Sequence, residues 1–152
     1  MKKLILLIAL SLFLTHNAIS QTLPYKPFSQ FNGDIESYLK YNFVDRSDYY
    51  KGKSFGDLMK DMETSPLEYF GTYLMPSQGN DILVTKITLV FKHTRADGRY
   101  SIRDTQIAIV WETPFSSTLW KDLNNQYPKN NWVIEHYDFF KDKKIKGIWY
   151  GE

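Results

Sequence analysis

Apolar side chains recur along this chain in two rhythms, and the changes between them mark out the elements. An apolar run, Leu4 to Leu14, interrupted only by Ser11, comes first. Gln21 to Gln30 holds two prolines and no period, and reads as an extended lead-in. From Asp34, a residue type suited to an N-cap, Ile35, Tyr38, Leu39, Asn42 and Phe43 fall at helical spacing and predict a short helix over 34 to 43. Asp45 to Lys53 reads as a polar loop. Ser54 then opens the clearest helix: Phe55, Leu58, Met59 and Met62 share one face, Asp57 is placed to reach back to the cap, and Ser65-Pro66 ends the pattern. Leu67 to Leu74, rich in Tyr and Phe, predicts a first strand with Gly71 as a weak point or bulge, and Met75 to Asn80 predicts a turn.

The rhythm then switches to two. Leu83, Ile87, Leu89 and Phe91 share one face of a strand, and Ile107, Ile109 and Trp111 share one face of the next. A two-residue turn at Asp97-Gly98 would put these sets on opposite faces, because a one-residue slip inverts every side chain. A three-residue loop, Ala96-Asp97-Gly98 with Gly98 left-handed in a bulge, keeps them together and predicts the pairs Ile87 with Ile107 and Leu83 with Trp111.

Beyond Thr113-Pro114, the hydroxyls of Ser116-Ser117-Thr118 are suited to cap a helix whose Leu119, Trp120, Leu123 and Tyr127 share a face. Trp132 to Phe140 fits both periods; Asn130 and Asn131 as caps favour a helix. Ile145 to Tyr150 predicts a last strand in which only one of Trp149 and Tyr150 faces inward. The expected fold is α+β, an antiparallel sheet of about four strands with helices packed on one face. With no repeat or linker in view, residues 21 to 152 are expected to form a single domain.

The first twenty residues change how the rest is read. Lys2 and Lys3, the apolar run and the small residues Ala18 and Ser20 read as a cleavable secretory signal peptide, and a run of eleven residues falls short of the roughly 20 that a spanning helix needs. The expected location is exported, periplasmic or secreted, with no transmembrane segment after cleavage. Lys2 and Lys3 also supply the whole net charge of +2, so the mature chain is formally neutral and nucleic-acid binding by bulk charge loses its basis. Cysteine is absent, which removes disulfides, thiol catalysis and Cys-based zinc sites. Of three histidines, only His93 and His136 survive cleavage. No cofactor and no metal site is expected.

Gly52-Lys53-Ser54 has the ending of a phosphate-binding loop, but position 47, where its first glycine belongs, is Ser47, so a turn with a Ser54 cap is the better reading. Tyr50-Lys51-Gly52-Lys53-Ser54-Phe55 with Leu58 resembles the helix start of small exported bacterial proteins of unknown function. The order of two helices before three strands is similar to the modules of the outer-membrane assembly lipoprotein SmpA and of the beta-lactamase inhibitory protein. That resemblance implies a binding module, although this chain lacks a lipid-attachment Cys and adds a helical C-terminal third.

No serine sits in a nucleophile elbow, and Asp57 and Asp61, one helical turn apart, read as a solvated face. His136 reads as packing. His93, in Lys92-His93-Thr94-Arg95, lies near the hairpin tip among Lys92, Arg95, Arg99 and Arg103, and four lysines fall within 141 to 146. If the two basic stretches adjoin, they form a patch for an acidic partner, anionic glycan or lipid head group; if not, they are edge protection. Tyr49 and Tyr50 in the polar loop add candidate stacking surfaces. The expected function is that of an exported non-catalytic binding module for a protein or envelope glycan, contacting it through Lys92, His93, Arg95, Arg99, Arg103, Tyr49 and Tyr50. The alternative is an envelope-polymer hydrolase using His93 with a carboxylate. Expression of the full chain with export is expected to yield a protein beginning at Gln21, read from its intact mass; a retained N-terminus refutes the signal.

Overall fold

The computed structural model describes residues 23 to 151 except 77 to 81, 98, 100, 102 and 128 to 130, and for 69 to 76 the backbone alone. The expected signal peptide, the left-handed Gly98 and the Asn130 cap lie outside the described residues.

The lead-in is less extended than its prolines suggest. Phe28–Phe31 forms a 3-10 turn, and the segment before it is pinned by the buried Asn42 side chain, whose Oδ1 accepts from Lys26 N at 2.9 Å and whose Nδ2 donates to Lys26 O at 2.8 Å. Helix α1 (Ile35–Leu39) starts at Asp34, which accepts from Ser37 N as its residue type predicts, and passes into a π-helical turn, Lys40–Val44. The expected polar loop contains a helix, α2 (Ser47–Tyr50). Four residues are too few for periodicity to register, and Tyr50 turns inward to the core. Helix α3 (Phe55–Asp61) carries the predicted capping box between Ser54 and Asp57.

Strands β1 (Glu68–Pro76), β2 (Ile82–Lys92), β3 (Thr105–Ser116) and β4 (Ile145–Tyr150) form an antiparallel sheet in the order β1-β2-β3-β4. Helices α4 (Ser117–Gln126) and α5 (Ile134–Phe140) lie between β3 and β4 in sequence. The class is α+β with an antiparallel sheet and helices. Gly71 makes no bulge: the β1–β2 register runs unbroken through Gly71↔Ile87.

The central register differs from the expected one by two residues. Ile87 pairs with Ile109 and Leu89 with Ile107, while Leu83 lies opposite Ser116. Both registers keep the apolar sets on one face, so alternation alone does not distinguish them. The loop does: pairing stops at Lys92↔Thr105, leaving residues 93 to 104 as a twelve-residue connection in place of a three-residue turn. At the other end, β3 bulges between Val110 and Phe115. Pro114, lacking an N–H, sits within that bulge, and Thr113-Pro114 is therefore inside the strand rather than after it.

Ile87, Leu89, Phe91, Ile107, Ile109 and Trp111 face Leu39, Phe43, Phe55, Leu58 and Phe140 in one buried cluster. Trp111 stacks on Phe140 with ring centroids 5.4 Å apart and planes 11° from parallel, and Phe55 meets both rings edge-on. A second aromatic group surrounds Tyr38, which touches Phe28, Phe31 and Phe43. Thr88, Val90, Gln106 and Ala108, on the other face, are buried as well. Trp149 is 63% exposed while Tyr150 is half-buried, so one of the two faces inward as alternation predicts.

The free edge of β4 is covered by the segment carrying Gly52-Lys53-Ser54. Ile148 N donates to Ser47 Oγ at 2.8 Å, Gly52 N to Ile145 O at 2.8 Å, and Ile145 N to Lys53 O at 2.9 Å. Gly52 has φ +77°, a left-handed turn that favours glycine. The first amides of α3 are likewise used: Phe55 N donates to Lys143 O and Gly56 N to Lys141 O. These backbone bonds give the motif a structural role in place of phosphate binding.

Among the described residues, no helix is long and apolar enough to cross a membrane. Phe140→Ala is expected to lower stability by ~3–5 kcal/mol, against no more than ~0.5 kcal/mol for Trp149→Ala, read as denaturation midpoints at unchanged slope.

Candidate functional site

His93 follows β2 directly and its side chain is 13% exposed. Its ring lies between two carboxylates. Nδ1 meets Asp104 Oδ2 at 2.9 Å, and Nε2 meets Glu68 Oε1, at the start of β1, at 3.4 Å. His93 stands at the base of the connection and not near a hairpin tip, because the loop is longer than the sequence suggested, and its partners are ones the sequence did not indicate.

Asp104 is the centre of this cluster. Its side chain is fully buried one residue before β3, where an unpaired carboxylate is costly. Four donors surround it. Oδ1 accepts from Thr94 N and Thr94 Oγ1, at 2.6 and 2.8 Å, and Oδ2 accepts from Ser101 N at 2.7 Å beside the His93 contact. Burial pushes the carboxyl up, but the donors from Thr94, His93 and Ser101 together outweigh it and hold the group well below the usual carboxylate range. Asp104 thus joins the two ends of the 93–104 connection. Side-chain bonds continue the closure where the ladder stops at Lys92↔Thr105.

An aspartate on Nδ1 of a histidine is the orienting half of a hydrolytic triad. In that chemistry Nε2 takes a proton from a hydroxyl or water, and here Nε2 faces Glu68. The carboxylates contact opposite nitrogens of one ring, so they do not converge on a common point. No group of three His, Asp or Glu suited to a metal ion occurs among the described residues.

The cations lie around this cluster. Lys92, Arg95, Arg99 and Arg103 are all exposed. Arg95 Nη2 pairs with Asp97 Oδ2 at 2.9 Å, and Arg99 Nε stands 3.9 Å from the same carboxylate, so one acid is shared by two arginines. The hydrogen bond from Arg95, and then that from the Arg99 backbone amide, hold the Asp97 carboxyl below its ordinary range. Residues 141 to 146 are elsewhere: Lys144 O accepts from Glu112 N, near the far end of β3. Lys92 faces Thr105 at its start, which puts the two stretches ~20 Å apart along the strand. They do not adjoin. Lys143 rests over Phe115 and Phe139, at 4.5 and 4.7 Å, and Lys141 pairs with Asp138.

Tyr49 and Tyr50 do not join the hairpin residues either. They end α2, beside β4, whereas His93 contacts β1 on the opposite edge of the sheet. Tyr50 is fully buried and donates to Asp61 Oδ2 at 3.0 Å; burial, then the Asp61 charge, push its hydroxyl pKa up. Asp61 therefore holds Tyr50 while Asp57 serves the cap, and the two do not act as a pair. Tyr49 is half-buried beneath Arg46 and Lys53. His136 is buried as expected, and it also caps a helix. Its Nδ1 accepts from Val133 N at 3.1 Å at the start of α5, the role expected of the asparagines. Burial lowers its pKa.

Sequence reasoning missed Asp104 and Glu68. The spacing Ser101-x-x-Asp104 is the one local hint, since a short acid after a serine closes turns of this size.

Asp104→Asn is expected to destabilise the fold by ~2–4 kcal/mol near neutral pH, because it removes a buried, fully bonded charge. The carboxyl pKa is depressed in the fold, so this contribution is complete above the unfolded value near pH ~4 and is lost as pH falls toward the folded value. Melting temperatures of wild type and Asp104→Asn should therefore converge as pH falls below ~4; a constant gap down to strong acid refutes the assignment. No family model, curated protein or solved structure matches the chain.

Proposed function

We propose that the chain is an exported, non-catalytic module that binds a protein or glycan partner of the cell envelope through the 93–104 connection. One observation carries this reading: the loop with the exposed cations Arg95, Arg99 and Arg103 is closed at its base by a buried, fully bonded Asp104. A loop held in one conformation before it meets a ligand loses less entropy on binding, and exposed cations beside it favour an anionic surface. His93, with a carboxylate at each nitrogen, belongs to that closure. Tyr50 leaves the set of contact residues because it is core.

A second reading, hydrolysis of an envelope polymer by His93 with a carboxylate, draws on the 2.9 Å contact to Asp104. The Glu68 carboxylate at Nε2 weighs against it.

Reversal of charge at Arg95, Arg99 and Arg103 together is expected to abolish capture of the partner from envelope extract, read by mass spectrometry, with an unchanged melting temperature. Undiminished capture by the folded triple variant removes this loop from the interface. Release of soluble fragments from purified envelope polymer by wild type, and not by His93→Asn, reverses the order of the two readings.

A further inference from the structure

We propose that Arg46 and Lys53 form a site for a small oxyanion, a carboxylate, sulfate or phosphate group. The inference rests on the binding reading and gives the ligand a chemistry at a second place on the module, beside β4.

Arg46 immediately precedes α2 and is 6% exposed. A guanidinium presents five N–H donors in one plane. Its Nη1 reaches Asn42 O only at 3.5 Å, beyond the ordinary range, and its Nε finds no acceptor. The faces of the group are provided for: its central carbon lies 4.7 Å from the Tyr49 ring centroid, 5.6 Å from that of Tyr25 and 5.8 Å from that of Tyr50. Aromatic faces attract a cation but offer no acceptor to in-plane N–H groups. What remains unmet is Nε, on one edge of the fork.

Lys53 adds a second positive charge. Its Nζ stands 3.1 Å from the Tyr49 centroid and 5.9 Å from that of Tyr50, so two cations share the same pair of rings. None of the ion pairs found among the described residues involves either of them. Two acids reach the same rings and are engaged at their hydroxyl ends, Asp61 by Tyr50 and Glu63 by Tyr25, while Asp45 and Asp48, close to Arg46 in sequence, are exposed. A buried arginine is ordinarily matched by an anion, and a planar fork with an ammonium over the same tyrosine ring suits a compact group with two or three oxygens. The chain supplies the cations and the aromatic walls; the anion comes from the ligand.

The test is a titration of the full mature protein followed on the Arg46 Nε–H resonance, with sodium sulfate, phosphate and acetate in separate arms and sodium chloride at matched ionic strength. Saturable shifts with one or more oxyanions, and none with chloride, are expected; the order of the arms separates tetrahedral from planar ligands. Lys53→Met keeps the backbone bonds of Lys53 and the fold, and should weaken binding about tenfold. Arg46→Gln should abolish binding, and Lys53→Met decides the matter if that buried variant does not fold. A shift that is absent, shared by chloride, or unchanged in affinity in Lys53→Met overturns the proposal. Because the readout is Arg46 itself, a failed titration with partner capture intact removes the oxyanion site and leaves the binding module standing. A saturable titration without capture supports the site and counts against the hairpin surface.

Discussion

A chain without cysteine has to be closed by packing, and the stack of Trp111 on Phe140 is where that closure is made. Trp111 comes from the centre of the sheet and Phe140 from the last turn of α5, so one contact joins two parts of the chain that share no backbone pairing. Phe55 of α3, Trp120 of α4 and Trp132 ahead of α5 all pack on Phe140. Large rings suit this work because each buries much area for few rotatable bonds. The sheet gives next to them: β3 bulges just after Val110, and Trp111 pairs with Ile145 of β4 instead of a residue of β2.

Beside this apolar centre stand two polar groupings that solve the problem of buried charge in opposite ways. Asp104 gathers four donors and joins the ends of a long connection, so its charge is matched within the chain. Arg46 is clothed by rings on its faces and poorly matched at its edge. The first is a structural clasp, the second an incomplete one. Both depend on the aromatic content of the sequence only indirectly: the rings set the framework, and the framework sets which polar atoms lose water.

Local chemistry made the legible part of the fold legible. Ser54 with Asp57, Asp34 with Ser37, and Ser116 with Thr118 are short-range bonds, and each starts a helix near the place the residue types indicate. The facing of the hairpin strands was equally plain, because both apolar sets have the same parity. Their pairing was not, since a shift of two residues leaves parity intact. That shift goes with Asp104, whose donors come from residues three, ten and eleven positions away and whose burial no local pattern reports. Tyr49 and Tyr50 illustrate the same limit: in a sequence they are two exposed-looking rings in a polar stretch, and in the fold Tyr50 belongs to the core and Tyr49 to a cation. The basic stretches near 95 and 143 were recognisable as such, but whether they adjoin depends on the length of β3, a distance rather than a composition.

The covering of β4 by Ser47 and Gly52-Lys53 has a consequence for how the molecule comes into being. The Ile148 amide and the Ser47 hydroxyl are 101 residues apart in sequence, and the edge strand has no such shield until both are present. Loop closure over that span must precede the contacts that reward it. A chain still lacking its last residues presents β3 as an open edge and leaves Trp111 without its β4 partner Ile145. The sheet is therefore not closed at β3 until β4 has paired with it.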